Sequence, residues 1–332
     1  MARDKPTGLS GRMETIRHIT RADLHRINGL LSRAFSQGRA DDGYRFTEVP
    51  ECRLEFLDMY LEDFPEGSYL LEVDGQIRAF GFAHLWGRVG WVGPVAVAPE
   101  VQGRGHGREI MNQCLASLRE AGARTIGLET MPRSYRNLGF YGKLGFVPGE
   151  LTVCLASEVF ARPVPPQEEL RAEAVYFSRL PKEERQSFLE KAREIADAAC
   201  EGLDYRSLIL HTSQYKYGDT AIFRLGERQA LAIGHTEPYA VDEERHVLRV
   251  VACVFPPPVD RSFVDAVLTS LRDWARREFL GHLSLWVPTR QLEAFRHLLQ
   301  AGFRVIHSDL RMTLEGYPLV TTPGAWLLDK WE

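Results

Sequence analysis

The residues best placed to do chemistry lie in the run PEVQGRGHGR, residues 99–108. Gly103, Gly105 and Gly107 remove every second Cβ, so backbone N–H groups there can approach a ligand closely. The run leaves an apolar strand and enters an amphipathic helix, whose unpaired first amides and positive dipole end act in the same direction. Together these make an anion cradle, and a pyrophosphate is its natural occupant. Arg104 and Arg108 can add charge from the side. The run is not a dinucleotide-binding fingerprint, because it follows the fourth strand expected here and its spacing is not GxGxxG. It is not a P-loop either, since no Gly-Lys-Ser/Thr follows.

A second motif, FYGKLGF, occupies residues 140–146. Gln102-x-x-Gly105-x-Gly107 after VAVAPE, followed by this motif, resembles the paired signatures of the GNAT superfamily of N-acetyltransferases. The resemblance covers roughly residues 14–155. It implies acetyl-CoA as co-substrate and an amine, on a small molecule or a peptide, as acceptor. The backbone of Val95, Ala96 and Val97 would pair with the pantetheine arm. Amides of Gln102, Gly103, Arg104, Gly105, His106 and Gly107, with Arg108, would hold the pyrophosphate. Tyr141 would stand at the thioester sulfur as general acid, since a phenol of pKa about 10 can protonate a departing thiolate whose thiol titrates near 8.5.

One departure from the family pattern concerns the base. Many relatives carry a Glu eleven residues before the motif Gln, where this chain has Trp91. An amine of lysine-like pKa, about 10.4, is mostly protonated at pH 7 and must lose a proton before it can attack. Glu129 and His84 are the nearest candidates, and the base stays open at this point. A non-catalytic acyl-CoA-binding or sensing module with a partner-binding second domain is the alternative.

The elements that must position these residues follow from periodicity. Helices are expected at 20–35 and 51–63, then strands at 68–74, 76–86 and 89–98. After the glycine run, Ile110, Met111, Cys114, Leu115 and Leu118 fall on one helical face. Strand 124–130, helix 134–144 and strand 146–155 complete an α/β unit with a mixed sheet.

The chain has 332 residues, room for two domains of ordinary size. Residues 1–12 read as a flexible arm, 13–158 as the acyl-CoA-binding catalytic domain, 159–170 as a proline-rich linker and 171–332 as a second domain. That second part repeats the first: CLASLREAGARTIGLETMP (114–132) aligns with VLTSLRDWARREFLGHLSLWVP (267–288), and FYGKLGF with HLLQAGF (297–303). Two tandem GNAT-like domains are expected, each with its own central sheet. In the second, Phe255-Pro256-Pro257-Pro258 stands opposite Gln102–Gly105 and Leu298 opposite Tyr141. Prolines offer no N–H, so this copy reads as degenerate.

A net charge of −4 argues against a dedicated nucleic-acid binder. The sequence lacks an apolar run of membrane-spanning length and a signal-peptide pattern, so a cytoplasmic protein without membrane contact is expected, as monomer or homodimer. Five dispersed cysteines and ten histidines show no metal-ligand spacing, and no metal is implied.

Overall fold

The computed structural model describes residues 14–160, 170–241 and 243–330. The expected amino-terminal arm and most of the expected linker lie outside the described residues. The first half runs β1 (Glu14–His18), α1 (Leu24–Asp41), α2 (Leu54–Asp63), β2 (Tyr69–Val73), β3 (Gln76–Trp86), β4 (Val89–Val97), α3 (His106–Glu120), β5 (Thr125–Thr130), α4 (Tyr135–Gly142) and β6 (Phe146–Glu158). The second half repeats that order as β7 (Glu173–Tyr176), α5 (Lys182–Ala199), α6 (Arg206–Gln214), β8 (Gly218–Leu225), β9 (Arg228–His235), β10 (Val247–Phe255), α7 (Arg261–Arg277), β11 (His282–Pro288), α8 (Leu292–Gln300) and β12 (Arg304–Leu314). A last strand, β13 (Trp326–Asp329), is added against β10.

Helix α3 buries Ile110, Met111, Cys114, Leu115 and Leu118, the face read from the sequence. Helix α1 continues to Asp41 rather than stopping at 35. Leu24, Ile27, Leu30, Leu31 and Ala34 bury a stripe at three- and four-residue spacing, and no proline intervenes before Pro50. Gly38, also buried, leaves room beside the Arg136 guanidinium.

The two halves do not keep separate sheets, as the repeat alone implied. Among the described residues the strands form one thirteen-stranded sheet, ordered β1-β2-β3-β4-β5-β12-β6-β11-β10-β9-β8-β7. Strand β12 lies between β5 and β6, antiparallel to both, and β6 runs antiparallel to β11. Each half therefore completes its sheet with a strand from the other. The inserted strand also fills the first half's core, where Met312 and Leu314 pack with Leu128 and Phe146. Cutting the chain at the linker would leave β5 and β6 of residues 14–160 with unpaired edges and an unfilled core. That fragment alone is expected to aggregate, and co-expression with residues 170–330 to restore a soluble complex, as read by size-exclusion chromatography. A soluble, cooperatively melting fragment would refute this.

Candidate active site

The site begins where β4 and β5 part. They pair in parallel only over Val89–Trp91 and Thr125–Gly127. Beyond that the register of β4 against β3 shifts, with Gly93 and Pro94 set opposite Phe82 alone. Such a bulge bends the strand, and Pro94 has no N–H to pair. The resulting fork is a cleft of about 920 Å³ lined by Val95, Ala96 and Val97, by the glycine turn, and by β5 and α4. Val95 to Val97 pair with β3 on one side and with no strand on the cleft side. An extended ligand could add there as a strand does.

At the wide end, Gly103 and Gly105 adopt φ of +80° and +100°, conformations that only glycine adopts without strain. Amides of residues 103–107 donate to no backbone carbonyl among the described residues, while Arg108 and Glu109 already turn back to the Gly105 carbonyl. Five successive free N–H groups before a fifteen-residue helix fit a phosphate group. Gly107 is glycine for a second reason, since a Cβ there would stand 3.1 Å from Val97 and 3.3 Å from Phe140.

The side chains sort differently. Gln102 braces the turn, donating from Nε2 to the Val97 carbonyl at 3.1 Å and accepting from Arg136 at 2.7 Å. Its backbone N–H is directed to the Pro99 carbonyl, so that amide is not free for an anion. His106 sets its ring 3.2 Å from the Glu14 carboxylate and offers the cleft its amide. Arg108 lines the cleft, whereas the exposed Arg104 side chain does not.

Tyr141, on α4, also lines the cleft, its ring held between Phe140 and Phe146 at centroid distances of 5.2 and 6.0 Å. Burial pushes its phenol up to about 12, so it stays protonated at neutral pH. Glu129 lines the cleft from β5. Arg311 of β12 donates to its Oε1 at 2.8 and 2.9 Å and the Thr152 hydroxyl at 2.5 Å, while Oε2 is buried without a hydrogen-bond partner. Burial pushes the Glu129 carboxyl up, against the pull of Arg311 and Lys330. Trp91 is fully buried beneath this group, with the Arg311 guanidinium 5.2 Å from its ring. Gly127 beside it must be glycine, because a Cβ would overlap the Trp91 ring. Trp91 and Gly127 are paired, so Glu129, two residues on, projects from the same face.

His84 is not at the cleft. Its Nε2 lies 2.8 Å from the Gly93 carbonyl and its Nδ1 3.0 Å from Asp63, which also meets His211 at 3.1 Å. Both ring nitrogens are engaged, and His84 braces the bulge instead. Two residues that sequence reasoning missed, Asp309 and Lys330, line the cleft from the second half. The one signal for Asp309 is the alternation His307, Asp309, Arg311, Thr313 along β12, and Lys330 has none.

Residues 27–146 match the family model described as Acetyltransferase (GNAT) family. That match places an acetyltransferase domain of the GNAT family in the first half of the chain. No curated protein matches it. Among solved structures, a putative acetyltransferase from Pyrococcus horikoshii is similar with TM-score 0.62 and 19% identity, over 94% of this chain and 92% of that one. A GCN5-related N-acetyltransferase from Sphaerobacter thermophilus gives 0.59 at 16%, over 93% and 98%. A tandem GNAT protein from the clavulanic acid biosynthesis pathway gives 0.57 at 11%, over 93% and 100%. At such identities these likenesses concern the fold, and they extend across both halves of the chain.

The second half lacks such a glycine turn. Its corresponding groove, about 410 Å³, is lined by Pro256, Pro257 and Pro258. The first turn of α7 is capped from within, Phe263 N–H donating to Asp260 at 3.0 Å, and Arg228 pairs with the same carboxylate at 3.1 Å. A built-in anion thus sits where the first half leaves its amides open. None of the helices is long and apolar enough to cross a membrane, among the described residues.

Proposed function

We propose that the chain is an acetyl-CoA-dependent N-acetyltransferase acting by direct transfer to an amine. The observation that carries this reading is the conjunction of the open β4 edge, five free amides and the Tyr141 hydroxyl in one cleft. Acetyl-CoA would supply the acyl group as an activated thioester, its pyrophosphate on residues 103–107 and Arg108. Glu129 Oε2 accepts a proton from the incoming ammonium, and a carboxyl with a raised pKa is the better base for this. Tyr141 donates toward the departing sulfur. One carbon–nitrogen bond forms and one carbon–sulfur bond breaks, so amine plus thioester gives amide plus thiol.

Tyr141→Phe is expected to keep acetyl-CoA affinity and lower kcat about a hundredfold, the low end for loss of an acid–base group. Calorimetry and thiol-release kinetics would measure the two effects, and an unchanged kcat would remove Tyr141 from the reaction. The rate should rise with pH through a Glu129 pKa above the usual carboxylate range, because only the ionised form accepts a proton. Under the non-catalytic alternative, no amine would release thiol.

A further inference from the structure

The seam between the halves holds more charge than the proposed reaction uses. Four carboxylates gather there, Glu129, Glu150, Asp309 and Asp329, with three fixed cations. Arg311 pairs with Glu129 at 2.8 Å and Asp329 at 3.2 Å, Lys330 with Asp309 at 3.3 Å, and Arg290 with Glu150 at 3.4 Å. His307 Nε2 also lies 3.1 Å from Asp309 Oδ1, and apart from that imidazole the fixed cations are one fewer than the carboxylates. Two of the orphaned oxygens differ in access: Glu150 Oε1 lies outside the cleft lining, whereas Glu129 Oε2 is buried with no hydrogen-bond partner in a side chain 4% exposed that lines the cleft. Asp309 lines the same cleft, and its Oδ2 likewise accepts no well-formed hydrogen bond despite the Lys330 ammonium nearby. Register puts the two side by side, since Arg311 lies opposite Glu129 and Asp309 opposite Thr152, whose hydroxyl donates to Glu129. An orphaned buried oxygen next to a charge deficit is a site for a cation that arrives with the substrate.

We infer that Glu129 and Asp309 form a two-carboxylate ammonium site spanning both halves, and that the acceptor is a monocationic primary amine with an apolar body. This rests on the acetyltransferase reading of the cleft. Glu129 and Asp309 are the only carboxylates among the described residues that line it. A second ammonium on the same substrate would meet Arg108, Arg136 and Lys143, or the apolar wall of Phe35, Val49, Phe56 and Tyr60. Polyamines and aminoglycosides therefore fit poorly, and a single ammonium on an aromatic or alkyl body fits both ends. The second half thereby acts as a specificity element, with Asp309 delivered by the inserted strand β12.

The test uses the full chain with acetyl-CoA and two probes, phenethylamine and spermidine. Wild type is expected to acetylate phenethylamine with kcat/KM at least tenfold above spermidine. Asp309→Asn is expected to raise KM for phenethylamine about tenfold, the loss of one charge-assisted contact, with kcat within about twofold and acetyl-CoA affinity unchanged. Asp309→Glu should restore most of the KM, which a merely structural role would not predict. Preference for spermidine, or an unmoved KM in Asp309→Asn, overturns the inference while acetyl-CoA binding persists. Absence of acetyl-CoA binding in wild type would instead overturn the acetyltransferase reading beneath it. If Asp309→Asn does not fold, the wild-type preference and the Asp309→Glu kinetics still decide.

Discussion

Gly105→Glu is expected to weaken acetyl-CoA binding by at least a hundredfold while the fold survives. A Cβ at Gly105 would meet nothing within 4 Å, so no clash drives the effect. Two other causes do. The residue caps α3 at φ +100°, where an L side chain costs roughly 1–2 kcal/mol. The carboxylate would also stand before five free amides and satisfy them itself, much as Asp260 does on α7. Gly105→Ala separates the causes, with about a tenfold loss from backbone strain alone, since 1.4 kcal/mol is a factor of ten. Calorimetric titration with acetyl-CoA measures both variants, and circular dichroism confirms the fold. Unweakened binding by Gly105→Glu would mean that the pyrophosphate does not rest on this turn.

The second large effect concerns Arg311. Its guanidinium is 1% exposed and joins Glu129, the Asp329 side chain and carbonyl, and the Trp91 ring. Arg311→Met would keep the volume and leave two buried carboxylates without their cation. Removing one partner of a buried ion pair costs about 3–5 kcal/mol. At about 2–4 °C per kcal/mol for a chain of this order, Tm should fall by roughly 10 °C. The sign with pH follows from the carboxyls. Burial holds Glu129 and Asp329 above the usual carboxylate range even beside Arg311, and its loss would raise both further. Groups raised in the folded state favour it below their unfolded pKa and oppose it as pH climbs through the folded value. The deficit of Arg311→Met should therefore be greatest near pH 8 and shrink toward pH 5. Melting curves at the two values test this, and a deficit that grows in acid would contradict it. Because β12 joins strands of the first half within one continuous sheet, one cooperative transition should carry the whole loss.

What the sequence made legible was local in origin. Glycines at alternate positions before a helix specify free amides, wherever the helix later packs. The Ile110–Leu118 face is written at a spacing that periodicity reads directly. The same holds for the three prolines opposite the cradle, which abolish donors in any fold. Glu129 was nameable because it ends an apolar strand, but its state was not, since the arginine that fixes it lies 182 residues away. His84 was misplaced for a similar reason, as a histidine on an apolar strand gives no hint of Asp63 on a helix end.

By itself, then, the sequence determined a glycine turn with free amides, a phenol and a repeated α/β order, because each depends on backbone stereochemistry or short-range spacing. Only the tertiary structure decided that β12 completes the first half's sheet, that Arg311 holds one oxygen of Glu129, and that Asp309 reaches the cleft. Those outcomes depend on pairing between distant strands, whose edges are chemically alike until folding brings particular side chains face to face.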